Sequence, residues 1–107
     1  MKATFIEISG FSSEREAYLA DEAYARLQQL LMADPELGDV MPGCGGLRKL
    51  RWAAEGRGKR GGLRVIYYWA ADDNVCFMLF LYAKNEQGDL TPAQIRVLGR
   101  LVREEFK

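Results

Sequence analysis

A chain without histidine has few routes to acid–base or metal chemistry, and this one of 107 residues contains none. Zinc sites and Cys–His or Ser–His nucleophiles lack their usual ligand or base here. The two cysteines, Cys44 and Cys76, match no C-x-x-C spacing and read as small hydrophobes in a reducing compartment. What the sequence concentrates is cations. Arg48, Lys49, Arg51, Arg57, Lys59, Arg60 and Arg64 stand against the single acid Glu55 between positions 48 and 64. Fifteen basic and fifteen acidic residues cancel over the whole chain, so this stretch carries +6 and the remainder −6. A local excess of that size is the footprint of a polyanion site, although a solvated basic loop would have the same charge.

Gly56-Arg57-Gly58-Lys59-Arg60-Gly61-Gly62 contains a literal G-x-G-x-x-G. A dinucleotide site needs that pattern after a strand and at the opening of a helix, whose N-terminus faces the pyrophosphate. Here the loop runs into Leu63-Arg64-Val65-Ile66-Tyr67-Tyr68, a strand pattern, and no G-K-[ST] follows. The remaining reading is a hairpin connection whose cations track a phosphate backbone.

Strands on either side of that loop decide which cations meet. Residues 47–53, 63–70 and 75–83 read as three strands, the second rich in β-branched and aromatic residues, with a turn at Asp72-Asp73-Asn74. Short connections favour antiparallel neighbours. Because side chains alternate, Lys49 and Arg51 share one face while Leu50 and Trp52 share the other. Arg64 goes with Ile66 and Tyr68, and Tyr82 with Lys84. If these strands pair in sequence order, Lys49, Arg51, Arg64, Tyr82 and Lys84 converge on one patch, with Arg57, Lys59 and Arg60 above it.

The rest of the chain supplies support. Residues 3–8 read as a first strand and 12–33 as helix, with a break allowed near Ala20–Asp21 and Asp21 as the N-cap. Tyr24, Leu27, Leu30 and Leu31 form an apolar stripe, and Asp34-Pro35 ends the helix. Residues 36–46 form a glycine-containing loop. The last helix has a full start signal: Thr91 as N-cap, Pro92 at N1, Gln94 completing a capping box, and Leu90 with Ile95 as a hydrophobic staple. Its buried face is expected to be Ile95, Leu98, Val102 and Phe106. The order strand, helices, three strands, helix is an α+β domain with helices on a mainly antiparallel sheet. One domain fits this length. The N-terminus has no signal-peptide pattern, and the longest apolar run, residues 75–83, is too short to span a bilayer as a helix. These features lead us to expect a cytosolic protein with no membrane partner.

Cations and tyrosines suit one reaction well. In RNA the 2′-hydroxyl is a nucleophile already attached to the phosphodiester it attacks. A protein need only align that attack and stabilise the charge on the phosphorane. Arginine forks match phosphate oxygens, and a lysine crowded by cations can act in proton transfer. Tyr68 and Tyr82 could stack on bases or carry a proton, or be ordinary sheet aromatics.

Gly45-Gly46-Leu47-Arg48-Lys49-Leu50-Arg51, the segment 56–68, Leu81-Tyr82-Ala83-Lys84-Asn85-Glu86 and Asp89-Leu90-Thr91 resemble, in this order, the HigB branch of the RelE toxin superfamily. Leu37-Gly38-Asp39-Val40 fits as well, so the resemblance covers nearly the whole chain. It implies a microbial-RNase-type fold with no metal or cofactor, in a bacterial cytoplasmic protein. It implies an endoribonuclease that enters the ribosomal A site and cuts messenger RNA by 2′-hydroxyl attack, leaving a 2′,3′-cyclic phosphate. The family's basic positions map onto Lys49 or Arg51, Lys59, Arg64 and Lys84. With Tyr82 added, the expected catalytic set is Lys59, Arg64, Lys84 and Tyr82; Arg48, Lys49, Arg51, Arg57, Arg60 and Tyr68 would bind RNA. Some relatives use a tyrosine in the C-terminal segment for acid–base work. No tyrosine follows Tyr82 here, so that role is absent, moved to Tyr82, or taken by a lysine. The resemblance also implies a cognate antitoxin, a small helix-turn-helix DNA-binding protein. Two other readings stay open: a ParE-type toxin that binds DNA gyrase, and a non-catalytic RNA-binding protein.

Overall fold

The computed structural model describes residues 3–52 and 62–106. Five strands form one sheet: β1 (Thr4–Glu7), β2 (Asp39–Val40), β3 (Arg48–Trp52), β4 (Leu63–Ala70) and β5 (Val75–Ala83), in spatial order β1-β5-β4-β3-β2. The segments β2 through β5 pair antiparallel in sequence order, as expected for short connections. The exception is β1, which lies parallel to β5. Alternation gives no sign of strand direction, and a parallel pair needs the long crossover that α1 (Ser9–Tyr18) and α2 (Asp21–Ala33) supply. The two-residue β2 also escapes the sequence pattern, because its pairing with Lys49 and Arg48 is set by the partner strand.

Each face of the sheet has its own core. On one, α1 and α2 bury Phe11, Leu19, Leu27 and Leu31 against Leu50, Leu63, Val65, Tyr67, Met78 and Leu81. On the other, α3 (Pro92–Leu101) and the turn that follows it cover Leu47, Ile66, Leu79 and Tyr82 with Leu98 and Val102. The side-chain sets of β3 therefore divide as alternation predicts. In β5 strict alternation would fail, because Met78 and Leu81 share the first core despite their odd spacing. A bulge resolves this: Ile66 pairs with Phe80 and Tyr67 with Met78, which leaves Leu79 without a partner on β4. The extra residue shifts the strand's phase by one, and every later side chain changes face.

Helix ends depart from the sequence reading in two places. The expected break between α1 and α2 is present, but Ala20 is the N-cap and makes no side-chain cap bond. Asp21 sits inside the first turn, where its charge favours the helix N-terminus, and accepts from Arg15 at 2.6 Å. The capping box of α3 forms as predicted, with Thr91 accepting from the Gln94 N–H and Gln94 accepting from the Thr91 N–H. Ile95, expected on the buried face, is 39% exposed. The box holds Gln94 in the first turn, and the packed positions are those in line with it, Leu98 and Leu101 with Val102. Leu30 is likewise exposed, while Tyr24, Leu27 and Leu31 are buried. Among the described residues no helix is long and apolar enough to cross a membrane.

Candidate functional site

Beyond the edge of α3 the second sheet face carries the charged row. Arg51 on β3 pairs with Arg64 on β4, which pairs with Tyr82 on β5. Side chains directly opposite in a ladder share a face, so two guanidinium groups and a phenol stand side by side. Lys49 lies one row along, opposite Ile66, which in turn faces Phe80. The β5 bulge matters for this row. Without it, Tyr82 would point into the core under α1 and α2 instead of beside Arg64.

Arg64 is only 8% exposed, and one of its guanidinium nitrogens donates to the Leu63 carbonyl at 3.4 Å. Arg51 is exposed. Like charges directly opposite on a sheet repel, and an anion bound between them would offset that repulsion. Tyr82 is buried, and its O–H donates to Asp89 Oδ1 at 3.4 Å. Burial first, and then the Asp89 carboxylate, push the Tyr82 phenol up to about 12, with Arg64 opposing. The phenol is therefore protonated at neutral pH.

Asp89 is not among the residues the sequence assigned to the site, yet it touches two of them, Lys49 and Tyr82. Its Oδ1 accepts from the Leu90 N–H at 2.8 Å and lies 3.6 Å from Lys49 Nζ. The Leu90 N–H holds its carboxyl below the usual carboxylate range, with Lys49 and Tyr82 adding to the effect. The sequence signals for it were its place in the Asp89-Leu90-Thr91 segment of the resemblance and its position two residues before the Thr91 N-cap, and neither gave it a role. Nothing local to residues 84–91 shows that this loop folds back onto a lysine of β3.

The other expected residues divide. The Lys84 ammonium donates to the Gly88 carbonyl, on the loop that carries Asp89. The Lys84 N–H donates to the Gly62 carbonyl and extends the β4–β5 ladder. Arg48 is not brought to the patch. Its guanidinium donates to the Gly38 and Glu36 carbonyls at 2.8 and 3.1 Å and to the Glu36 carboxylate at 3.3 Å. It is one residue out of phase with Lys49 and Arg51, so it leaves the other face and holds the 36–38 loop. Tyr68 does share Arg64's face, but four residues along the strand separate them by about 13 Å. It packs beneath Gly46, where a Cβ would come within 3.2 Å of its ring. Arg57, Lys59 and Arg60 lie outside the described residues. Among the described residues no group of three or more His, Cys, Asp or Glu is placed to hold a metal ion.

Comparison with known proteins fixes the family. A family model described as the RelE toxin of the RelE/RelB toxin–antitoxin system matches residues 14–106. The chain belongs to the RelE toxin family. It is thus a toxin of a toxin–antitoxin system, and the resemblance read from its segments holds at that level. Among solved structures, the fold is similar to a double arginine-to-alanine variant of E. coli toxin RelE in the free state. The TM-score is 0.61 at 13% identity, over 82% of this chain and 90% of that one. It is also similar to a chain of the intact E. coli RelBE toxin–antitoxin complex. There the TM-score is 0.56 at 14% identity, over 77% of this chain and 96% of that one. At such low identity the RelE likeness is one of fold, and the functional residues must be argued from this chain's own geometry.

Proposed function

We propose that this RelE-family chain is a HigB-type, ribosome-dependent endoribonuclease that cuts messenger RNA in the A site. The observation that carries the reading is the cross-strand row of Arg51, Arg64 and Tyr82, with Lys49 beside it. It sets cationic donors and a protonated phenol on adjacent strands of one sheet face.

The reaction needs no group from outside the RNA except proton carriers. The 2′-hydroxyl oxygen forms a bond to the adjacent phosphorus and gives up its proton to a base. The bond from phosphorus to the 5′-oxygen of the next nucleotide breaks, and that oxygen takes a proton. The products are a 2′,3′-cyclic phosphate and a 5′-hydroxyl. Arg64 is held by burial and stabilises the phosphorane oxygens, whose charge peaks in the transition state. Arg51 and Lys49 grip the substrate phosphates. Tyr82, protonated at neutral pH, is suited to donate to the departing oxygen. Lys84 and Lys59 complete the catalytic set as proton carriers or phosphate donors. Arg57 and Arg60 extend the backbone contacts, and Tyr68, about two nucleotides' distance from Arg64, stacks on a base. No metal or cofactor takes part. The partners are the ribosome, its messenger RNA and a helix-turn-helix antitoxin that covers the basic face, and the site of action is the bacterial cytoplasm.

Primer extension on a defined message in a reconstituted translation reaction tests this reading. The wild-type protein should cut within A-site codons only when ribosomes are present. Arg64→Ala should bind ribosomes yet cut about 10²–10³-fold more slowly, the loss typical of one donor to a developing oxyanion. An intact message with translation still blocked would instead mean a binding toxin on the ribosome. No effect on message or translation would point to the gyrase-binding reading.

A further inference from the structure

A carboxylate inside a phosphate-binding patch works against substrate affinity, so the presence of Asp89 beside Lys49 needs a reason. Its three contacts come from three different parts of the fold. Leu90 N–H fixes the carboxylate to the start of α3, Tyr82 O–H reaches it from β5, and Lys49 Nζ reaches it from β3. The loop bearing it is braced independently. Gln87 Nε2 donates to the Asp89 carbonyl at 2.9 Å and to Gln94 Oε1 at 2.5 Å, and Gln94 belongs to the capping box. The Lys84 ammonium holds the neighbouring Gly88 carbonyl. The carboxylate is therefore pinned to the scaffold, although its side chain is 70% exposed. It offers a fixed negative charge to a buried phenol and to a flexible lysine.

We propose that Asp89 is a positioning residue for the RNA-cleavage reaction, acting through Lys49 and Tyr82. The inference rests on the nuclease reading of this site. Lysine has a long, flexible stem, and without a partner its ammonium would range over the exposed end of the sheet. The Asp89 charge confines it next to Tyr82. The same carboxylate accepts the Tyr82 O–H and so fixes the direction of the phenol's proton. When a phosphate enters between Lys49 and Arg64, the lysine turns from the carboxylate to the phosphate without leaving the site. Positioning of this kind acts on the rate of the bound complex more than on its formation.

Asp89→Asn separates this role from a purely structural one. The amide oxygen can still accept from Leu90 N–H and Tyr82 O–H, so the loop keeps its bonds and only the charge is lost. Single-turnover cleavage is measured at increasing concentrations of programmed ribosomes, for the wild type, Asp89→Asn, Asp89→Glu, Lys49→Ala and the Lys49→Ala/Asp89→Asn double variant. The maximal rate of Asp89→Asn should fall about 10–100-fold, with no rise in the half-saturating concentration and an unchanged melting temperature. Asp89→Glu should recover part of the rate. In the Lys49→Ala background, Asp89→Asn should cost less than about 3-fold more, because residues acting through one another are non-additive. Three results would overturn the proposal while leaving the nuclease reading intact. These are wild-type cleavage matched by Asp89→Asn, a loss seen only in half-saturation, and equal losses in both backgrounds. A wild-type protein that leaves the message uncut would remove the nuclease reading itself.

Discussion

Tyr67, on the sheet face opposite the site, illustrates how a strand tyrosine can be wholly structural. It is fully buried, its O–H donates to the Pro35 carbonyl at 2.8 Å, and its oxygen accepts from the Gly38 N–H at 2.9 Å. Gly38 is needed for this approach, since a Cβ there would lie 2.9 Å from the Tyr67 ring. Tyr67→Phe strands the buried Gly38 N–H and the half-buried Pro35 carbonyl, and should cost about 1–3 kcal/mol in urea denaturation while leaving the cleavage rate of the folded enzyme unchanged. Sequence pattern alone ranks Tyr67 and Tyr82 alike as β-strand aromatics. The β5 bulge separates their faces, and their hydroxyl partners, Pro35 and Gly38 against Asp89, are decided by loops remote in sequence. Arg48 carries the same lesson, because its charge counted toward the basic cluster while its fork is spent on the 36–38 loop.

At the scale of elements, two local devices set the site. The β5 bulge at Leu79 turns Tyr82 toward Arg64, and the capping box at the head of α3 anchors the loop that carries Asp89. The box was legible because its residue types and spacing are themselves the mechanism. The bulge was not, because the apolar run of β5 is buried on both faces and has no alternation from which a slip could be noticed. Thr91→Ala should lower stability by about 1 kcal/mol, and the melting temperature by roughly 4 °C. A calorimetric scan with no shift would show that the box adds nothing to the bonds Gln87 makes to this loop.

For the molecule as a whole, buried weak acids set the response to alkali. Burial pushes the Cys76 thiol and the Tyr67 hydroxyl each up to about 12, and Tyr82 reaches about 12 with the help of Asp89. In the unfolded chain a thiol titrates near about 8.5 and a phenol near about 10. Between those values and 12 the folded protein binds more protons than the unfolded one, so stability falls as pH rises through that window. Below about pH 8 these groups are protonated in both states and contribute no slope. The urea midpoint should therefore be flat from pH 7 to 8 and drop steadily from pH 9 to 11; an unchanged midpoint at pH 10.5 would contradict this. Asp89 acts at the other end with the opposite sign, since its lowered carboxyl gives stability that is lost only in acid, and its exposure keeps that effect small.

By itself the sequence determined the α+β class, the order of β3, β4 and β5, the capped last helix and the local +6 charge. Each is encoded in neighbouring residues, through periodicity, capping chemistry or composition. It also set which of Lys49, Leu50, Arg51 and Trp52 face together, because alternation is a property of a single strand. Tertiary structure decided the rest: the parallel placement of β1, the register that brings Arg51, Arg64 and Tyr82 into one row, the diversion of Arg48, and the arrival of Asp89 next to Lys49. These depend on contacts between residues distant in the chain, whose partners are selected by packing and loop closure rather than by any local pattern.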